Sequence, residues 1–554
     1  MTSNPTESVF FASPMKRLLI LVMALANHNA WGQQTLGVFF NFPEAFNGYT
    51  FIAGSGSDTV YLVDNCGYRV HQWATEGTPG LATYLLENGD ILRTGKVVSS
   101  IYSGGGSGGL VQKYSWEGDL LWHYQVSNPT LHQHHDVEPL PNGNVLVLNW
   151  GYLSNSQSII NGRNPATITD ELWPTVIQEI EPIYPDSGIV VWEWDVSNHF
   201  IQDFDSTKLN FGVVADHPEL LDINYSINGS ADFLHCNAVN YNAEHDLIVM
   251  SSRKSSEIYV IDHSTTTVEA ASHSGGDRGM GGDYLYRWGN PLTYDRGTVD
   301  DQMLLGPHDI HWIPDSLPDG GKFMVFNNGG GTAGSAVNVF DPQMDVNGDF
   351  PNPGANAFGP ANTDWHYEEP DFASGTISGA QRLPNGNTLV CEGSPGRLFE
   401  ITPTNNKVWE YVSPSSTSGN LTQGTNPIQN AMFRGLRLPV DFPAFIGKEL
   451  TPGSLIEIDS IPAPCTIIPE PVGISSTTVI DDVRVVSTNG QLKIIGVNAI
   501  GLVGTIYDLS GKAIKSFNIN SPESIFGIQG WSKGMYILSL KSSKNQKTFK
   551  FINQ

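Results

Sequence analysis

The chain has 554 residues and carries 56 Asp and Glu against 29 Lys and Arg, a formal charge of −27 at neutral pH. Phosphate-backbone binding needs a basic surface, so this balance excludes nucleic acid as a partner and suits a well-solvated exported protein. The length accommodates one large all-β domain plus an accessory module, each with its own core.

At the N-terminus, Met15-Lys16-Arg17 is followed by LLILVMALA and then by the small residues Ala30 and Gly32. This layout predicts a secretory signal peptide over residues 1–32, with the true start at Met15 and a mature chain beginning near Gln33. No later run of 18 apolar residues follows, so no transmembrane segment is expected. The cysteines Cys66, Cys236, Cys391 and Cys465 are too few and too dispersed for a disulfide scaffold. An exported protein could pair some of them, with a connectivity the sequence leaves open.

A strand–turn–strand pattern then recurs. HDVEPLPNGNVLVL (135–148) matches SGAQRLPNGNTLVCEG (378–393), and more loosely the stretches beginning at Leu81, His235, His308 and Phe433. Between these copies lie YLVDNCGYRVHQW (61–73), KYSWEGDLLWHY (113–124), IVVWEW (189–194), IYVIDHSTTTVEA (258–270) and LFEITPTNNKVWEY (398–411). Alternating apolar residues, β-branched enrichment and Asn-Gly turns predict short antiparallel strands. Repeats that cannot bury their own faces predict a β-propeller, here of six blades over residues 35–455. The first residue of each innermost strand then lies beside the central axis. Those positions are Leu81, His135, His235, His308, Ser378 and Phe433, so three of six blades present a histidine to one place. His132 and His134 have no counterparts in the other repeats and read as bystanders.

The stretches LHCNAV…SSRKSSEIYVID (234–262), YRWGNPLTYDRG (286–297), GPHDIHWIP (306–314) and EGSPGRLFEITPTNNKVWEY (392–411) resemble the bacterial arylsulfate sulfotransferase family over residues 45–450. The resemblance implies a six-bladed propeller that moves a sulfuryl group from a phenolic sulfate ester to a phenol without the nucleotide donor PAPS or any other cofactor. It implies that His308 accepts the sulfuryl group, with His235, His135 and Arg253 assisting. Two features depart from the family: there is no room for an N-terminal β-sandwich between Gln33 and the first blade, and Pro307 stands where the family often has Gln.

The residue types suit that chemistry. Sulfuryl transfer, like phosphoryl transfer, has a loose transition state with charge on the peripheral oxygens and the leaving phenolate. A guanidinium fork at Arg253 fits the sulfate oxygens. A neutral imidazole at His308 can attack sulfur while His235 or His135 moves the proton, in a ping-pong cycle. Two readings from other classes stay open: three histidines holding a catalytic zinc or copper ion, and a non-catalytic binding propeller.

The glycine runs 104–109 and 329–331 lack the Lys-Ser/Thr of a phosphate loop and read as connections between blades. DVNGD places Asp345, Asn347 and Asp349 at the alternate-oxygen spacing of a calcium loop but lacks the downstream Glu, which favours a plain turn. After the Pro-rich IPAPCTIIPEP (461–471), a linker over 456–479 leads into residues 480–554, where nine Lys and Arg outnumber four Asp and Glu. The strands LKIIGV, GTIYDLSGKAIKSF, GMYILSLKSS and KTFKFIN predict a small β-sandwich. YDLSGK (507–512), KGMYIL (533–538) and the final Lys-Phe-Ile (550–552) resemble the C-terminal sorting domain of the type IX secretion system. That resemblance implies the secretion machinery as partner and delivery to the cell surface or medium.

Overall fold

The computed structural model describes residues 34–554, apart from 169–170, 226–229, 333, 462–464, 466–483 and short stretches at 489–490, 496–501, 509–511, 522, 529, 542–545 and 554. The expected signal peptide over 1–32 lies outside the described residues. Two compact units divide the chain, the first ending at Ile467 and the second beginning at Ile468.

Among the described residues, the first unit holds six antiparallel sheets of at least four strands, each ordered sequentially outward from an inner strand. The inner strands are Pro79–Leu85, His132–Pro139, Cys236–Asn242, Pro307–Trp312, Gly379–Arg382 and Met432–Pro439. All six repeat positions read from the sequence fall on these strands or immediately ahead of them. We number the blades from the one containing Gly48–Gly54. Its inner strand is not its first in sequence, because Met432–Pro439 pairs antiparallel with Gly48–Gly54 and closes the ring. Blade 6 gains a fifth strand in the same way, Gly37–Asn41 adding to its outer strand Lys407–Val412.

The core is divided into wedges between neighbouring blades. In the second strand of blade 4, Leu247 and Val249 pack toward blade 5 with Phe323 and Val325. The intervening Ile248 and Met250 pack toward blade 3 with Leu146 and Leu148. Both faces are buried, so such strands are continuous apolar runs rather than apolar–polar alternations.

Three departures from the sequence reading follow from local chemistry. Residues 104–108 and 328–335 do not connect blades; they join the second and third strands within blades 2 and 5. The end of 258–270 is a helical turn, Thr267–Ala270, capped by Thr266 with Glu269 reaching back to the Thr266 N–H. The expected linker from 456 begins as part of the first unit: Ile456 is buried between blades 6 and 1, and Cys465 is disulfide-bonded to Cys66. Cys236 and Cys391 are free and buried.

The second unit contains a three-stranded sheet, Arg484–Thr488, Gln491–Ile495 and Glu523–Gly527. A four-stranded sheet accompanies it, Ala513–Asn518, Val503–Tyr507, Gly534–Lys541 and Gln546–Asn553. Leu492, Ile494, Ile506, Leu538 and Leu540 from the two sheets share one core, a small β-sandwich.

Candidate active site

His135 and His235 occupy the left-handed backbone region, with φ of 51° and 50°, where residues with a Cβ pay roughly 1–3 kcal/mol. At blade 4 the inner and second strands shift register just after this point, between Cys236 and Ala238; blade 5 shifts between His308 and His311. Such bulges re-aim a side chain at the end of a strand. Here they turn the histidines toward one another: the rings of His135 and His235 lie 4.7 Å apart edge-to-face, and those of His135 and His308 lie 6.5 Å apart.

Each histidine has its own support. His308 Nδ1 lies 2.5 Å from Asn328 Oδ1. The Asn328 amide nitrogen donates to the carbonyls of Ser374 and Ile377, so its oxygen must face His308 and accept from Nδ1–H. Nε2 of His308 therefore carries the lone pair. Burial, reinforced by the charges of His235 and Arg253, pushes His308 down to about 3, which keeps the ring neutral. His235 Nδ1 is paired with Asp232, whose other oxygen accepts from Trp150 Nε1 at 3.0 Å. Burial favours a protonated Asp232, but the hydrogen bond from His235 and the nearby His134 and Lys254 hold its carboxyl below the ordinary range. His135 Nδ1 lies 2.9 Å from His134 Nδ1, and His134 stacks flat on Trp150 at 4.1 Å.

Arg253 ends the second strand of blade 4, beside His235: its backbone N–H donates to the His235 carbonyl. Nη2 donates to Gly375 O at 2.9 Å, while Nε is buried without a hydrogen-bond partner among the described residues. Its charge acts on both His135 and His308, lowering each. A buried guanidinium N–H with no acceptor, beside neutral imidazoles, suits an arriving oxyanion.

The loop 104–108 covers this cluster. A Cβ on Gly106 would come within 2.1 Å of the His135 ring, and one on Gly104 within 2.8 Å of Trp150. Beneath the cluster, a polar residue one or two positions after each histidine joins its blade to the next: Asp136 accepts from Val239 N–H, Asn237 donates to the Pro307 carbonyl, and Asp309 accepts from Ala380 N–H. Arg434, on the ring-closing strand, pairs with Asp136 at 2.7 Å and with Asp309 at 2.5 Å. Beyond this triad lies a cavity of about 220 Å³ lined by Tyr84, Glu138, His311 and Arg382 among others.

The sequence matches the arylsulfotransferase (ASST) family over residues 41–345 and the secretion system C-terminal sorting domain over residues 488–554. The chain belongs to the arylsulfotransferase family. Its sorting domain marks this family member for export to the cell surface or beyond. No helix of the described residues is long and apolar enough to cross a membrane. No curated protein matches the chain. Solved structures similar to this arylsulfotransferase-family chain include a protein of unknown function from Bacteroides caccae, at 12% identity and TM-score 0.37, covering 71% of this chain and 99% of that one. Another is a periplasmic gluconolactonase from Pseudomonas aeruginosa, at 9% identity and TM-score 0.34, covering 69% and 97%. A third is an inactive virginiamycin B lyase from Staphylococcus aureus with quinupristin, at 9% identity and TM-score 0.31, covering 69% and 89%. None is near enough to bear on function.

The structure thus brings together His135, His235, His308 and Arg253. His132 is separate from them in role: its ring nitrogens are held by Ser107 and Ser127, and burial pushes it down to about 4. His134, read as a bystander, instead touches His135. Asp345, Asn347 and Asp349 lie apart in an exposed turn, where Asp345 Oδ1 accepts the backbone N–H groups of Asn347 and Asp349. The plain-turn reading accounts for that carboxylate. Sequence reasoning missed Asp232, Asn328, Gly106 and Arg434. Only Arg434 carried a usable signal, as the neighbour of a repeat position.

Proposed function

We propose that this arylsulfotransferase-family protein transfers a sulfuryl group between phenols through an N-sulfohistidine at His308, without PAPS. The observation that carries the reading is the hydrogen-bond chain from the Ser374 and Ile377 carbonyls through Asn328 to His308, which leaves Nε2 neutral and bare. The Nε2 lone pair forms the bond to sulfur as the sulfur–aryl oxygen bond breaks, and that electron pair leaves on the aryl oxygen. His235, held at Nδ1 by Asp232, gives the phenolate a proton and recovers one from the incoming phenol, which then takes the sulfuryl group. Arg253 holds the peripheral oxygens, and His135 lies where it can donate to the aryl oxygen. The signal peptide over 1–32 and a sorting domain over 480–554 that engages the type IX machinery complete the proposal, placing the reaction outside the cytoplasm.

The test is incubation of the protein with 4-nitrophenyl sulfate and a phenol. Nitrophenol release without PAPS or added metal is expected, together with a mass increase of one sulfuryl group that disappears when phenol is added. His308→Ala is expected to abolish both; turnover persisting in that variant would overturn the nucleophile assignment. Activity removed by a chelator and restored by zinc would favour the three-histidine metal reading. No turnover on a broad panel of aryl sulfates would favour a binding propeller.

A further inference from the structure

Among the described residues, the His, Cys, Asp and Glu donor atoms that converge within 4.8 Å of one another belong to His199, His273 and Asp283, away from the histidine cluster described above. We propose that these three side chains bind a divalent transition-metal ion of the zinc type, which pins the glycine-rich loop after Ala270 in blade 4 to the end of blade 3.

The argument begins with proton positions. His199 follows the last strand of blade 3, in the short 3-10 turn Val196–His199, and is fully buried. Its Nε2 lies 2.8 Å from the Ala270 carbonyl oxygen. A carbonyl only accepts, so Nε2 carries a proton, and the tautomer this fixes has its lone pair at Nδ1, where a metal ion can take it. Nδ1 faces Asp283 Oδ1, 2.7 Å away. His273 Nδ1 approaches the same oxygen at 2.8 Å. Electron-rich atoms from three residues converge on one point, and a cation placed among them satisfies all three.

The surroundings are those of a metal-binding histidine. Donation of the far ring N–H to a backbone carbonyl is the usual device that fixes a ligating imidazole's tautomer. Trp194 lies parallel to the His199 ring, 5.7 Å away, and its indole N–H donates to the Gly282 carbonyl at 2.7 Å, one residue before Asp283. A Cβ on Gly282 would sit 2.7 Å from His199 Nε2, so glycine is needed for this close approach. His199 and Asp283 are buried while the His273 side chain is 60% exposed, which gives an ion a way in and leaves room for water as a further ligand. Two imidazoles and one carboxylate select zinc, nickel or copper over calcium or magnesium. Donors around a tetrahedral zinc stand about 3.3 Å apart, given bonds of roughly 2.0–2.1 Å. Asp283 must therefore draw back from His199 by about half an ångström on its loop, and the exposed His273 moves with it.

The test uses the full-length protein, stripped with chelator and titrated calorimetrically with Zn²⁺. Wild type is expected to bind one ion with an affinity that His273→Ala and Asp283→Asn each weaken by at least about 100-fold, while Ca²⁺ and Mg²⁺ do not compete. His273 is exposed, so unchanged metal-free melting shows that the variant is folded. Co²⁺ substitution is expected to give visible absorption of a nitrogen- and oxygen-bound ion that is lost in His273→Ala and kept in His235→Ala. Absence of zinc binding in wild type, binding unchanged by His273→Ala, or binding lost in His235→Ala instead would each overturn the proposal. In the first case, nitrogen NMR showing His199 doubly protonated would identify the cluster as a proton-bridged ion pair.

Discussion

Asn328 governs which nitrogen of His308 is free. Asn328→Ala is expected to lower kcat by roughly 10²-fold with little change in KM, because the ring can then turn or change tautomer while the substrate contacts remain. Steady-state kinetics on 4-nitrophenyl sulfate check this. Protonation of the buried rings sets a second expectation. Burial drives His132 to about 4, and His134 and His308 to about 3, against about 6.5 in an unfolded chain. Between those values the unfolded chain binds protons that the native state refuses. The contribution of these rings to stability is therefore complete above pH 6.5 and falls as the pH drops toward 4. Melting temperatures measured from pH 7 to 4.5 are expected to decline, with these rings and His135, which burial also pushes well down, taking up protons on unfolding. A flat profile would contradict the neutral, buried assignment.

At the scale of elements, the covering loop and the inner strands hold the histidines in place. Gly106→Ala would drive a methyl group into the His135 ring. It is expected to reduce turnover at least about 10-fold while leaving the melting temperature nearly unchanged, since the loop can move outward. The central ion triad behaves differently: Arg434→Ala leaves Asp136 and Asp309 buried without their counter-charge, a change of about 3–5 kcal/mol in stability. Denaturant midpoints measure it, and Arg434→Lys is not expected to rescue, because one ammonium cannot reproduce the fork. This scale also shows what was legible in advance. Turn chemistry and the repeat marked all six inner strands, and placed three histidines together, because strand starts recur at a fixed offset from the following turn, an Asn-Gly turn in three of the six repeats. Asp232 and Asn328 were not legible. They lie in irregular segments with no repeat counterpart, and only the folded path brings them to His235 and His308. The glycine run at 104–109 was visible but misplaced, because glycine content does not say which ring the backbone must approach.

For the whole molecule, the Cys66–Cys465 disulfide fastens the segment after blade 6 onto blade 1 across 399 residues of sequence. Cys465→Ser is expected to lower stability by about 2–4 kcal/mol, seen as an earlier denaturant midpoint without loss of the folded propeller. Removal of residues 480–554 spares this disulfide and is expected to leave an active propeller that accumulates in the periplasm; its appearance at the surface or in the medium would refute the sorting role. The ring closure has a consequence in time. The strand that completes blade 1 is Met432–Pro439, near the end of the propeller sequence, and it brings Arg434 with it. Until that strand has emerged during synthesis, the ring stands open at one seam and Asp136 and Asp309 wait for their cation. Three histidines encoded far upstream thus acquire a fixed floor only in the last moments of assembly, so a shortened chain that ends before residue 432 is a pile of blades and not a smaller enzyme.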